Sequence, residues 1–254
     1  MLLAIDVGNS NVVIGCFDGI KIVKVFRMVT DTLKTEDEYA AGIKSIFDFN
    51  GIDTDDFTGA VISCVVPPLT NVFRAAAQSL TGEPAFVIGS GIKTGLNILI
   101  DNPADLAADM VCSAVGALAG YPVPIIIIDM GTATKITVID KNSAYIGGAI
   151  CPGVALSADA MTRGASLLPK VHIEAPKKAI NGVTVAAMRS GIVFGTASMI
   201  DGMVARFEEE LGMKAPVVAT GGLAPQIIPH CRVDIVHDPH LILNGLRVLY
   251  EKNR

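Results

Sequence analysis

Two short stretches carry residue types and spacings suited to holding phosphate groups. In "IDVGNSN" an apolar run ends at Asp6 and turns through Gly8, Asn9, Ser10 and Asn11; in "IDMGTAT" another ends at Asp129 and turns through Gly131, Thr132 and Thr134. A carboxylate in this place can hold a magnesium ion through water, glycine lets backbone N–H groups approach a phosphate, and amide or hydroxyl side chains add donors. A third stretch, "VVATGGLAP", sets Gly221 and Gly222 directly after an apolar run, where a flat nucleotide moiety can pass close to the backbone. Taken singly, each stretch reads more simply as a polar-tipped hairpin or a common strand-to-helix loop. The pairs Asp6 and Asp129, Gly8 and Gly131, Asn9 and Thr132, and Asn11 and Thr134 share one offset, however, close to half the chain. That regularity points to duplication of one α/β unit, with two turns facing each other across a cleft and gripping a polyphosphate. Neither a G-x-x-x-x-G-K-[ST] loop nor a G-x-G-x-x-G after a strand occurs, so the common mononucleotide and dinucleotide folds are excluded.

The elements that must position these turns follow from periodicity and punctuation. "LLAIDVGNSNVVIGCFDGIKIVKVF" reads as strand, polar turn, strand, and then a hairpin at Asp18 and Gly19. Thr35 with Glu38 three residues on makes a capping box, and Tyr39, Ile43, Ile46 and Phe47 fall on one face of the helix it starts. "GAVISCVV" is a buried strand stopped by Pro67 and Pro68, "PAFVIG" is a short one, and 101–120 reads as a single helix with Asn102 as N-cap and Pro103 at its first position. The strand–turn–strand pattern then restarts at 124. A helix to about Leu168, a long helix from about Thr184 to Leu211, the strand "PVVAT" and a closing helix to about Tyr250 complete a second half. The expected division is 1–117 and 118–254.

At 254 residues, with 51% apolar and 18% charged content, the chain is a compact globular protein. A net charge of −5 gives no basic stripe for nucleic acid. Five cysteines stand singly with no CxxC, which fits a reducing cytosol and argues against zinc, and His237 and His240 lack a third ligand. The first residues lack a basic n-region and cleavage site, and the run Ile125–Ile128 is far too short to span a bilayer, so a soluble, cytoplasmic protein without a membrane partner is expected.

"DVGNSN", "DMGTAT" and "ATGGLAP" resemble the two phosphate motifs and the adenosine motif of the acetate kinase, sugar kinase, heat-shock chaperone and actin superfamily. Closer still is the resemblance to type III pantothenate kinases, which runs nearly end to end through "TEDEY", "SCVVPPLT", "KTGLN", "DNP", "MRSG" and "DP" followed by "NGL". It implies an α/β fold of duplicated actin-like (ribonuclease H-like) domains, with mixed sheets flanked by helices. It also implies a cytoplasmic homodimer that uses ATP, Mg2+ and a monovalent cation (K+ or NH4+) to phosphorylate the primary hydroxyl of pantothenate, the first step of coenzyme A synthesis. By the same resemblance Asp6, Val7, Gly8, Asn9, Ser10, Asn11, Val12 and Val13 line the ATP phosphates with Thr132, Gly221 and Gly222 hold the adenosine part, Asp6 holds magnesium through water, and Asp129 places the monovalent cation. Asp109 is the general base, in a pocket with Ala107, Ala108, Met110 and Ile100, and Thr184 touches pantothenate across the dimer interface. Read without the resemblance, Asp109 is more simply a solvated helix residue beside Asp105.

The chain departs from that family's pattern at three places. Gly-Ala-Asp-Arg around the base is Ala107, Ala108, Asp109 and Met110, so the Arg expected to bind the pantothenate carboxylate is missing and no charge-assisted fork can form. A Tyr before "DNP" is replaced by Ile100, and Lys135 follows GTAT where the family continues with Thr. Lys135 either replaces the lost positive charge in part or occupies the acceptor site itself. The altered pocket carries a second expectation: a related hydroxyl compound as acceptor, or a weak or silent relative acting as the heteromeric partner of an active paralogue.

Overall fold

A computed structural model describes residues 1–254. In order along the chain it contains β1 (Leu2–Val7), β2 (Asn11–Asp18), β3 (Lys21–Val29), α1 (Glu36–Phe49), β4 (Ala60–Cys64), α2 (Thr70–Thr81), β5 (Phe86–Val87), β6 (Asn97–Ile98), α3 (Ala108–Gly120), β7 (Ile125–Met130), β8 (Ala133–Ile139), β9 (Ala144–Pro152), α4 (Val154–Gly164), α5 (Thr184–Leu211), β10 (Val217–Thr220), α6 (Ala224–Ile227), β11 (Ile235–His237) and α7 (Leu241–Asn253). The residues form two compact units. The first takes Met1–Gly95, Asn102–Ala119 and Leu241–Arg254; the second takes Leu96–Asp101 and Gly120–His240.

The first unit holds a mixed sheet in the order β3-β2-β1-β4-β5. Alternation along β1 sends Leu3, Ile5 and Val7 into a core with Tyr39, Ile43 and Phe47 of α1 and Phe73, Ala76 and Leu80 of α2. Ile46, expected on that face, is only half-buried. The capping box at Thr35 is present, with Glu38 accepting from the Thr35 N–H at 2.9 Å. The hairpin between β2 and β3 turns one residue later than expected, through Gly19 at φ +56° and Ile20, closed by the pair Asp18 and Lys21.

The second unit repeats the plan. Its sheet runs β11-β10-β7-β8-β9, with β6 added beyond β9. Ile126, Ile128 and Met130 of β7 join Val154 and Ala158 of α4 and Ile192, Val193, Ala197 and Ile200 of α5 in a core on one face. The likeness of the two strand orders, each with two antiparallel pairs and then parallel additions, is the duplication that the sequence offset announced. That offset does not persist through the turns. Asp6 opposes Val13, whereas Asp129 opposes Lys135, so the second turn is one residue shorter. The counterpart of Thr134 is therefore Val12, not Asn11.

Two further boundaries differ from expectation. The stretch 101–120 is not one helix: Asn102 does cap, its Oδ1 accepting from the Ala104 N–H at 3.3 Å, but only a single 3₁₀ turn (Pro103–Asp105) follows before the chain extends at Leu106 and α3 begins. The closing helix, placed by the sequence in the second half, belongs to the first unit. Gly116 of α3 lies against the Leu241 carbonyl and the Gly245 N–H of α7, and Gly245 against the Cys112 carbonyl, so the two helices meet backbone to backbone where a Cβ on either glycine would overlap. No helix is long and apolar enough to cross a membrane.

Candidate functional site

The first turn is built by its own backbone and by β3. The Gly8 N–H donates to the Asn11 carbonyl at 3.0 Å, the Thr30 hydroxyl to the Gly8 carbonyl at 2.6 Å, and the Thr30 N–H to the Ser10 carbonyl at 3.1 Å. These bonds hold Gly8, Asn9 and Ser10 in one shape, with the side chains of Asn9, Ser10 and Asn11 exposed. Val7 and Val12 beneath them are buried in the core, and half-buried Val13 lies on the opposite sheet face, so of the expected phosphate-lining residues these three contribute backbone and not side chains. Thr30 escaped sequence reasoning because nothing local links it to residue 8.

Alternation along β1 puts Asp6 on the face away from α1 and α2, opposite Val13 on β2 and Ser63 on β4. α3 approaches this face. Asp109 stands in the first turn of α3, at the positive end of the helix, and its Oδ1 accepts from the Met110 N–H at 2.7 Å. One turn along, fully buried Cys112 reports both carboxylates: burial, then the charges of Asp6 and Asp109, pushes its thiol well above the usual range. Asp6 and Asp109, far apart in sequence, thus both act on one buried thiol. Ala107, Ala108 and Met110 flank Asp109 and are half-buried, and Met110 brings no charge to them.

In the second unit the turn Gly131–Thr132 is closed by the Gly131 N–H donating to the Ala133 carbonyl at 3.1 Å. Both residues are exposed, backed by two glycines. A Cβ on Gly153 would overlap the Thr132 and Gly131 carbonyls, and one on Gly221, at φ +100°, would lie 2.5–2.7 Å from the O, C and N of Met130. The "ATGG" loop thus rests directly on the backbone that enters the second phosphate turn, and Gly222 next to it is exposed. Thr220, buried, pairs with Asp129 across the parallel ladder. Gly153 stands just before α4, and its close approach to the turn has no local signal beyond that position.

Asp129 opposes Lys135 in the antiparallel register, and the two side chains meet, Lys135 Nζ lying 2.7 Å from Asp129 Oδ2 with 16% and 13% of the side chains exposed. Elsewhere in this unit, half-buried Ile100 lies beyond β6 within van der Waals reach of the position of a Cβ on Gly147, and Thr184 is the exposed first residue of α5.

Two ions implied by the sequence resemblance fare differently against these residues. No three His, Cys, Asp or Glu side chains converge into a cage. Magnesium does not need one, because it is commonly held by one or two carboxylates with waters and substrate phosphates, and Asp6 at the entry to the first turn fits that habit. A monovalent cation on Asp129 does not fit, since the carboxylate already carries the ammonium of Lys135. A second unit charge about 4 Å from that ammonium would meet a repulsion of about 4 kcal/mol at an effective dielectric of about 20.

A family model described as type III pantothenate kinase matches residues 2–206. Proteins named type III pantothenate kinase from Roseiflexus castenholzii and Exiguobacterium sibiricum are 41% and 42% identical over 254 residues, each covering 100% of this chain and 100% of the relative. Among solved structures, a Campylobacter jejuni protein described as a Baf family transcriptional activator covers 99% of this chain and 98% of its own at 18% identity, with a TM-score of 0.62. Component A of the Acidaminococcus fermentans (R)-2-hydroxyglutaryl-CoA dehydratase covers 98% and 96% at 18% identity and a TM-score of 0.58. These distant structures bear on the fold, which is the duplicated mixed-sheet α/β plan described above. The end-to-end matches at twice that identity decide the family, and the chain belongs to the type III pantothenate kinases.

Proposed function

We propose that the chain transfers the terminal phosphoryl group of ATP to the primary hydroxyl of pantothenate, giving 4'-phosphopantothenate and ADP. The observation that carries this reading is the hydrogen-bonded turn Gly8–Ser10 following Asp6, on the β1 face that the helix of Asp109 approaches. Within the first unit, backbone N–H groups and the side chains of Asn9, Ser10 and Asn11 are the groups for phosphate oxygens; within the second, the Thr132 hydroxyl serves phosphate and the Gly221–Gly222 loop serves the nucleotide. Asp6 would hold magnesium brought with ATP through water, and the ion would supply positive charge against the transferring group. The Asp109 carboxylate accepts the proton of the acceptor hydroxyl as its oxygen attacks the terminal phosphorus and ADP leaves.

The same reading makes the protein a cytoplasmic homodimer, with Thr184 reaching the acceptor held by a second copy; five free thiols suit a reducing compartment. The test is pantothenate-dependent ADP release by the purified protein with ATP and magnesium. Asp109→Asn should lower kcat by about 10²- to 10⁴-fold while leaving ATP affinity in place. ADP release that does not respond to pantothenate would refute the choice of acceptor, and a fully active Asp109→Asn would remove Asp109 as the base.

A further inference from the structure

The pair Asp129 and Lys135 is the feature that the proposed reaction leaves unused. It sits at the mouth of the second phosphate turn: Asp129 is followed by Met130, Gly131 and Thr132, and Thr220, which leads into Gly221, lies beside it on the next strand. Both side chains are largely covered, and their charged atoms are 2.7 Å apart. The first unit supplies a comparison within the same chain. There the residue opposite Asp6 is Val13, which brings no charge, so the strand plan does not itself require a cation at this position. The second unit has one, and it is covalently part of the protein.

An ammonium group carries the unit charge of a potassium ion, is of comparable size, and directs three donors at nearby oxygens. Tethered by β8, it is present at every salt concentration. We infer that Lys135 is a built-in monovalent cation for the second phosphate turn, so that this chain binds ATP and transfers its phosphoryl group without potassium or ammonium. The inference rests on the ATP-dependent reading given above.

The test is ATP binding by calorimetry, with magnesium, in potassium chloride and in tetramethylammonium chloride at equal ionic strength, alongside ADP release in the same buffers. For the wild-type chain, affinity and rate should agree within about twofold between the two salts; binding or turnover about tenfold stronger in potassium overturns the inference. Lys135→Thr leaves Asp129 for an ion from solution, and ATP binding by that variant should become about tenfold tighter in potassium than in tetramethylammonium. A variant that is folded by circular dichroism and as indifferent to potassium as the wild type overturns the assignment to Lys135. If Lys135→Thr does not fold, the wild-type comparison decides alone. A chain that binds no ATP in either salt overturns the ATP-dependent reading along with the inference, whereas potassium-dependent binding overturns only the inference.

Discussion

Gly221→Ala is the substitution for which the structure sets the clearest magnitude. At φ +100° an alanine occupies backbone territory that L side chains rarely adopt, at a cost of about 1–3 kcal/mol. Its Cβ would lie 2.5, 2.6 and 2.7 Å from the O, C and N of Met130, and no flexible side chain is there to yield; the backbone itself must retreat by roughly 0.7–0.9 Å to regain ordinary contact. Overpacking of this kind costs a further 1–3 kcal/mol or so, which gives about 4 kcal/mol in all. The displaced residue is the one before Gly131, so the strain is delivered to the second phosphate turn. Urea unfolding should show the midpoint lowered with the slope unchanged, and calorimetry should show ATP binding weakened by about tenfold or more. Gly202→Ala, in the middle of α5 with no atom near the new Cβ, is the control and should gain up to about 1 kcal/mol from helix propensity. Equal midpoints for wild type and Gly221→Ala would refute the steric argument. A destabilised variant with undiminished ATP affinity would leave the loop a packing device and take it out of the nucleotide site.

Three other outcomes follow from particular contacts. Thr30→Val removes the hydroxyl that donates to the Gly8 carbonyl at 2.6 Å, and should cost about 1 kcal/mol of stability by urea unfolding and weaken ATP binding severalfold. Met110→Arg restores a fork beside Asp109 and should tighten pantothenate binding by roughly thirtyfold, worth about 2 kcal/mol, as read by calorimetry; no gain would show that the acceptor carboxylate lies elsewhere. Burial lifts the Cys16 thiol from 9.0 to about 12, so above pH 9 the unfolded chain releases a proton that the folded chain keeps. Stability from this group is whole below pH 9 and is lost as pH rises from 9 towards 12, at up to about 1.4 kcal/mol per pH unit. Cys16→Ala should therefore show a smaller drop in urea midpoint between pH 8 and pH 10 than the wild type, whatever its stability at pH 8.

What could be read in advance was what nearby residues decide. The capping box at Thr35, the span of α5 and the two strand–turn–strand starts each depend on residues within a turn or two of one another, and the structure reproduces them. Asn102 and Pro103 correctly announced a helical start, but not that the start would last one 3₁₀ turn, because the extended backbone at Leu106 leaves no local mark. The membership of α7 in the first unit turns on contacts between Gly116 and Gly245, residues that no local pattern connects. Asp109 could be named only through the family resemblance, and that it acts on the same buried thiol as Asp6 depends on how α3 lies against the face of β1.

Lys135 shows how a single residue of turn length decides chemistry. Had the second turn kept the length of the first, Asp129 would oppose Ile136, and Lys135 would project to the other face of the sheet, where Ile128, Met130 and Val154 form the core. A lysine buried there without a partner would be costly enough to select against the register itself. Shortening the turn by one residue swaps the two faces of β8 relative to Asp129, sends Ile136 into that core and brings the ammonium to the carboxylate. The uniform offset seen in the sequence hid this, since it set Lys135 against core-facing Val12 when its true counterpart is Val13. The lysine thus depends on the shorter turn, which alone sets its ammonium against Asp129 and not into the core.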